Sequence, residues 1–204
     1  EELAEAGLFG DIRHGYYLGG GSGVAEAYKL DGRILAADEL EPRIRKAWQI
    51  RADDGRTFET HLSTSGINRD FGCDAEADEE GAPFPEVAAA AGDPRALELF
   101  RARASRLAEF CATRLIALHE SRGLVLDRIV IGQRLGQLFL DPCLEACFAR
   151  PAREALASRL LASAPPPVRE SWVVQGELGR RRLMGSPLRA AAALGALALA
   201  VGSD

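Results

Sequence analysis

Residues 16–34 read YYLGGGSGVAEAYKLDGRI, and the turns in this stretch limit the possible folds more than any other part of the chain. Three apolar residues from Tyr16 break into Gly19-Gly20-Gly21-Ser22-Gly23. A strand pattern then resumes over 24–30, with Val24, Ala25, Ala27 and Leu30 at its apolar positions. Asp31-Gly32 follows as a tight-turn pair, because a type I′ turn needs positive φ at both central residues. The pattern predicts strands over Gly15–Leu18, Val24–Leu30 and Arg33–Ala36. A second hairpin is expected in KAWQIRADDGRTFETHL, with Trp48 and Ile50 on one arm, Phe58, Thr60 and Leu62 on the other, and Asp54-Gly55 at the turn. The first third of the chain therefore reads as rich in antiparallel sheet.

The composition turns helical after a polar, glycine-rich and acidic stretch from Ser63 to Gly81. Asp93 and Pro94 supply an N-cap and a first helical position. Leu97, Phe100, Leu107, Phe110, Cys111, Leu115 and Leu118 form an apolar face, and Gly123 ends the helix. Ile129-Val130-Ile131 is a short continuous apolar run of the kind buried on both faces of a sheet. A helix over about Asp141–Leu161, a break at Pro165-Pro166-Pro167, a strand near Ser171–Val174 and a final helix over Pro187–Val201 complete the expectation. The end of another helix is expected over Glu1–Phe9.

With 204 residues, 47% of them apolar, the chain can bury one good core or two small ones. Its net charge of −5 argues against nonspecific binding to nucleic acid or anionic membrane, both of which need a basic surface. The apolar run from Ala190 to Val201 is too short to cross a bilayer core of about 30 Å and reads as a buried helix. Cys73, Cys111, Cys143 and Cys147 are scattered, which fits reduced thiols in a cytoplasmic protein, with Cys143 and Cys147 as packing positions on a helix. The chain opens on Glu1-Glu2-Leu3 without methionine, signal or transit composition and reads as part of a longer protein.

Successive N–H groups in a glycine-rich turn can form a nest for phosphate oxygens, and glycine suits positive φ or close approach to a ligand. Gly19–Gly23 lacks the Gly-Lys-Ser/Thr ending of a P-loop and leads into a strand. On local evidence it is either a plain hairpin loop or a phosphate nest.

The order of these elements resembles the C-terminal lobe of the ROK family (repressors, open reading frames and sugar kinases). Leu18, Gly19, Gly21 and Gly23 match the family's phosphate hairpin, and Asp31-Gly32 follows at the expected distance. The helix beginning at GDPRALELF, the strand and turn in DRIVIGQRLG and the alanine-rich LRAAAALGALALA are similar to later family elements. The resemblance covers Glu1 to Val201 with a gap near Ala37–Pro85. It implies an α/β fold of the ribonuclease-H-like, actin-like ATPase type. Residues 1–204 would form one C-terminal lobe, with 37–85 as an atypical hairpin or loop insertion. It further implies ATP with Mg²⁺, phosphoryl transfer to a sugar hydroxyl in the complete protein, and a homodimer. The implied phosphate and nucleotide contacts are Gly19, Gly20, Gly21, Ser22, Gly23, Gly132, Gln133 and Arg134.

The chain also departs from the family. The catalytic Asp of the family lies before the helix that matches EELAEAGLFG, so no catalytic residue is assigned here and this chain alone is expected to be inactive. Gly20 replaces a phosphate-contacting Thr, and Glu26 places a carboxylate near the implied phosphates unless a metal or Arg intervenes. Gln133 and Arg134 replace two glycines and add side chains where the purine would lie. The family's sugar-reading Glu-x-x-His is approximated only by Glu59 and His61, which on a strand would share a face as a surface pair. These departures leave open a second reading, a non-catalytic sugar-sensing regulator or dimerisation module with the same fold.

Overall fold

The computed structural model describes residues 7–35, 40, 44–73, 83–173 and 176–188. Its centre is a five-stranded sheet in which, numbered along the chain, the strands lie in the order third, second, first, fourth, fifth. Strands β1 (Gly15–Gly20), β2 (Val24–Leu30) and β3 (Arg33–Leu35) pair antiparallel, as the two turns require. Asp31 and Gly32 take φ of 51° and 80° at the second turn. The order becomes parallel where β4 (Arg128–Gly132) joins β1 and β5 (Leu183–Gly185) joins β4. This mixed sheet flanked by helices is the α/β architecture that the resemblance implied.

Alternation along the strands divides the core. Tyr16, Leu18, Tyr28, Leu30, Ile129 and Ile131 belong to the large cluster on the helical face. Tyr17 and Val130 point to the opposite face, where they meet Phe9. Burial on both faces explains the unbroken apolar run in β4.

Between β3 and β4 lie helices α1 (Phe58–Leu62), α2 (Thr64–Phe71), α3 (Pro85–Ala90) and α4 (Pro94–Arg122). The Asp93 side chain accepts from Arg95 and Ala96 N–H, and Gly123 at φ 68° closes α4, so both ends obey their sequence signals. After β4 come α5 (Gln133–Leu140), a turn of 3₁₀ helix, a π turn over Glu145–Ala149, and α6 (Arg150–Ser163). The wide turn lies one step before Pro151, which has no N–H to donate and whose ring would crowd the carbonyl four residues back. Cys147 packs in the core as expected, whereas Cys143 is exposed on the 3₁₀ turn.

Three expectations are corrected. Residues 44–62 are not a two-arm hairpin: only the Arg51–Thr57 bridge pairs, Ala47–Gln49 is 3₁₀, and Thr57 caps α1 instead of extending a strand. Ser171 and Trp172 are helical, in α7 (Pro166–Trp172), because the proline run opens a helix with Pro166 in its first turn. The fifth strand is β5, after the short α8 (Gly176–Arg182). Residues 1–6 and nearly all of the expected final helix lie outside the described residues, and Pro187 and Leu188 are not helical. No helix among the described residues is long and apolar enough to cross a membrane.

Candidate functional site

The glycine hairpin is built by proximity rather than by left-handed backbone. None of Gly19, Gly20, Gly21 or Gly23 has positive φ, so the left-handed geometry of a nest is not the reason for these glycines. A Cβ on Gly20 would lie 2.5 Å from the Leu62 carbonyl oxygen and 2.7 Å from Leu135 Cβ. The chain crosses under α1 and α5 here, and no side chain fits between them. The turn closes on itself through Gly21 N–H donating to Gly23 O at 2.9 Å.

The α1–α2 unit is fastened to that turn. Thr64 N–H and Oγ1–H both donate to Gly21 O at 2.8 Å. Val24 N–H donates to Glu59 Oε1 at 3.1 Å. The second carboxylate oxygen, Oε2 of Glu59, has no hydrogen bond among the described residues.

A cleft of about 540 Å³ opens on the other side of the turn, lined by Gly21, Ser22, Gln133, Arg134 and Gln137. Four of the implied phosphate and nucleotide residues therefore meet here. Gly19 and Gly20 lie beneath Gln133 and Leu135, Gly23 turns toward Glu59, and Gly132 passes under the Tyr17 ring, where a Cβ would come within 2.1 Å of the hydroxyl. Gln137 was not singled out from the sequence, because α5 itself was not foreseen. Gln133 starts α5 at φ 56°, a conformation that favours glycine. Its Cδ and Oε1 lie 2.9 and 3.1 Å from where a Gly19 Cβ would be, and Oε1 lies 3.0 Å from that of Gly21. Arg134 forms an ion pair with Glu86 of α3 and donates to Gln137 Oε1 at 3.2 Å. These residues do not fit a phosphate chain lying on the glycines: the Gln133 amide takes the space over Gly19 and Gly21, and Arg134 pairs with Glu86.

Glu59 and His61 lie on a helix, where i and i+2 point to opposite sides. Glu59 reaches the hairpin, while His61 is buried at 1% exposure among charged groups and is not a surface residue. Arg103 Nη1 donates to His61 Nδ1 at 2.7 Å, and Arg56 Nη2 lies 3.4 Å from the same atom. With donors facing Nδ1, the ring proton sits on Nε2 and is donated to Asp54 Oδ1 at 3.1 Å. Asp70 joins both guanidiniums, at 2.7 Å from Arg56 and in direct contact with Arg103. Burial lowers the imidazole pKa, the two arginines lower it further, and Asp54 opposes them in part. His61 is thus a neutral core group that holds α1 from behind, unavailable to a ligand.

Glu26 is likewise turned away from the cleft. Arg114 donates to it through Nε at 2.9 Å and Nη2 at 3.0 Å, Tyr16 Oη–H at 2.8 Å and Ala47 N–H at 2.7 Å. An arginine does intervene, on the helical face of the sheet. The expected repulsion of phosphates by Glu26 does not arise.

Compared by sequence, the chain matches no family profile and no curated protein. Compared by structure, it is similar to a candidate sugar kinase from Cytophaga hutchinsonii, with a TM-score of 0.61 and 15% identity over 93% of this chain and 58% of that one. A ROK-family transcriptional regulator, a homologue of the E. coli MLC protein, matches with a TM-score of 0.54 and 18% identity over 83% of this chain and 43% of that one. A ROK-family protein from Streptococcus pneumoniae, solved with sucrose, matches with a TM-score of 0.50 and 18% identity over 79% and 52%. The chain spans about half the length of these structures. The mixed sheet with its flanking helices is a fold that this chain shares with a candidate sugar kinase, a ROK-family regulator and a ROK-family protein.

Proposed function

We propose that the chain is the C-terminal lobe of a ROK-type sugar-binding protein that senses its ligand without transferring phosphate. Glu59 Oε2 accepts a sugar hydroxyl, while Oε1 keeps its bond to Val24. The observation that carries this reading is the Gln133 side chain, which lies over Gly19 and Gly21 where the resemblance implies nucleotide. A sugar-responsive binding lobe needs Glu59 and the hairpin and does not need an open phosphate site. The structural neighbours named as a sugar kinase, a regulator and a sucrose complex support the sugar ligand class. A second reading, ATP-dependent phosphoryl transfer in a longer parent chain, has in its favour that Ser22 and Arg134 remain in an open cleft.

Calorimetric titration with glucose, sucrose and Mg²⁺·ATP tests both readings on the wild type and on Glu59→Gln. The sensing reading expects a sugar to bind, at least tenfold weaker binding in the variant, and no heat with Mg²⁺·ATP. Mg²⁺·ATP binding to the wild type would favour the kinase reading. Failure to bind either sugar would count against a sugar ligand at Glu59.

A further inference from the structure

A second cleft of about 610 Å³ lies away from the hairpin, between α6, α7, α8 and the start of β5. It combines an apolar floor with a cationic rim on a chain whose net charge is −5. Its floor is apolar: Leu156, Trp172 and Leu183 are buried there, and Leu161 is 56% exposed beside them. Its rim carries Arg150, Arg153, Arg180 and Arg182 against only two carboxylates, Glu145 and Glu154.

The four cations are not equivalent. Arg153 rests on the Phe139 ring, pairs with Glu145 and donates to Leu183 O. Arg182 donates to Asp127 O at 3.0 Å. Arg150 and Arg180 have no ion-pair partner among the described residues. Burial first, and then the neighbouring Arg180 charge, hold the Arg153 guanidinium below its ordinary pKa in spite of Glu145. Like charges that face one cleft and are incompletely neutralised favour an anion between them, and guanidinium forks match phosphate oxygens. The volume suits a small ligand held whole.

We propose that this cleft binds a small organic phosphate ester, its phosphate held by Arg150 and Arg180 and its apolar body against Leu161 and the Trp172 edge. Inorganic phosphate would meet the cations but leave the apolar floor in water. This site does not depend on the reading of the hairpin cleft.

The test uses the full chain carrying Trp48→Phe, which leaves Trp172 as the single tryptophan, since the sequence has two. Phenyl phosphate and inorganic phosphate are titrated by calorimetry, with Trp172 emission as a second readout. The expected result is saturable binding of phenyl phosphate, at least tenfold tighter than inorganic phosphate and weakened by added salt. The exposed substitutions Arg150→Gln and Arg180→Gln together should weaken it at least tenfold while leaving the melting temperature unchanged. Absence of saturable heat, equal affinity for inorganic phosphate, or full affinity in the double variant would each overturn the proposal.

Discussion

Arg103 Nη1 donates to His61 Nδ1 at 2.7 Å, so the buried imidazole presents Nδ1 as an acceptor. A proton on Nδ1 would face two guanidiniums, so the folded protein resists protonation that the unfolded chain accepts. The folded pKa is lowered, chiefly by burial. Stability should therefore fall as pH drops below the unfolded value of about 6.5, by about 1.4 kcal/mol per pH unit until the native ring also protonates. Asp54 and Asp70 act in another window. Burial raises the pKa of each, but hydrogen bonds outweigh it and leave both lowered, so their stabilisation is present above about pH 4 and lost below. Urea unfolding between pH 5.0 and 7.5 should show the slope in the wild type and a flatter line in His61→Gln. Equal slopes would show that His61 is not the titrating group.

Much of the fold was legible because its signals are local. Asp31-Gly32, the Asp93 cap, Gly123 and the Ile129–Ile131 run each state their own structure. The stretch around α1 misleads for an equally local reason: Trp48, Ile50, Phe58, Thr60 and Leu62 alternate as in strands, and Asp54-Gly55 looks like a hairpin turn. A five-residue helix has too few apolar positions to show a period. The cue that was present is Thr57 and Ser63, whose side chains cap α1 and α2. The candidate site residues on the hairpin rest on the family resemblance that its glycines carry. The surroundings of His61 could not, because Arg103 lies 42 residues away and only the packing of α4 brings it there.

Gln133 retains a left-handed backbone with a side chain that glycine would lack. Non-glycine residues in that region carry about 1 kcal/mol or more of strain, offset in Gln133→Gly by the greater freedom of the unfolded chain. The variant should keep its stability within about 1 kcal/mol while clearing the space over Gly19 and Gly21. Calorimetry should then detect Mg²⁺·ATP binding that the wild type lacks. If neither protein binds, the side chain is not what closes the cleft.

Arg114 and Glu26 form a buried pair, at 1% and 10% side-chain exposure, with Phe110 under the guanidinium at 4.3 Å. Removing one partner strands the other charge, so Glu26→Leu and Arg114→Met should each cost about 3–5 kcal/mol. The double variant should cost no more than the worse single one, because no uncompensated charge remains. A urea double-mutant cycle measures this; strictly additive losses would mean that the two residues stabilise the fold independently.

Gly20 and Gly23 are two residues of one turn with opposite tolerance for a methyl group. At Gly20 the added Cβ would press on the Leu62 carbonyl at 2.5 Å and on Leu135 Cβ at 2.7 Å, so α1 or α5 must move. Gly20→Ala should lose about 2–3 kcal/mol, in the range of overpacked sites. At Gly23 the nearest group is the Glu59 carboxylate at 3.1 Å, the end of a flexible side chain. Gly23→Ala should therefore cost under about 1 kcal/mol while displacing Glu59 from Val24. Amide exchange at Val24 separates the two effects: Gly23→Ala should speed exchange there with little global loss. An unchanged Val24 rate would mean that the Glu59 bond is not what protects this end of the hairpin.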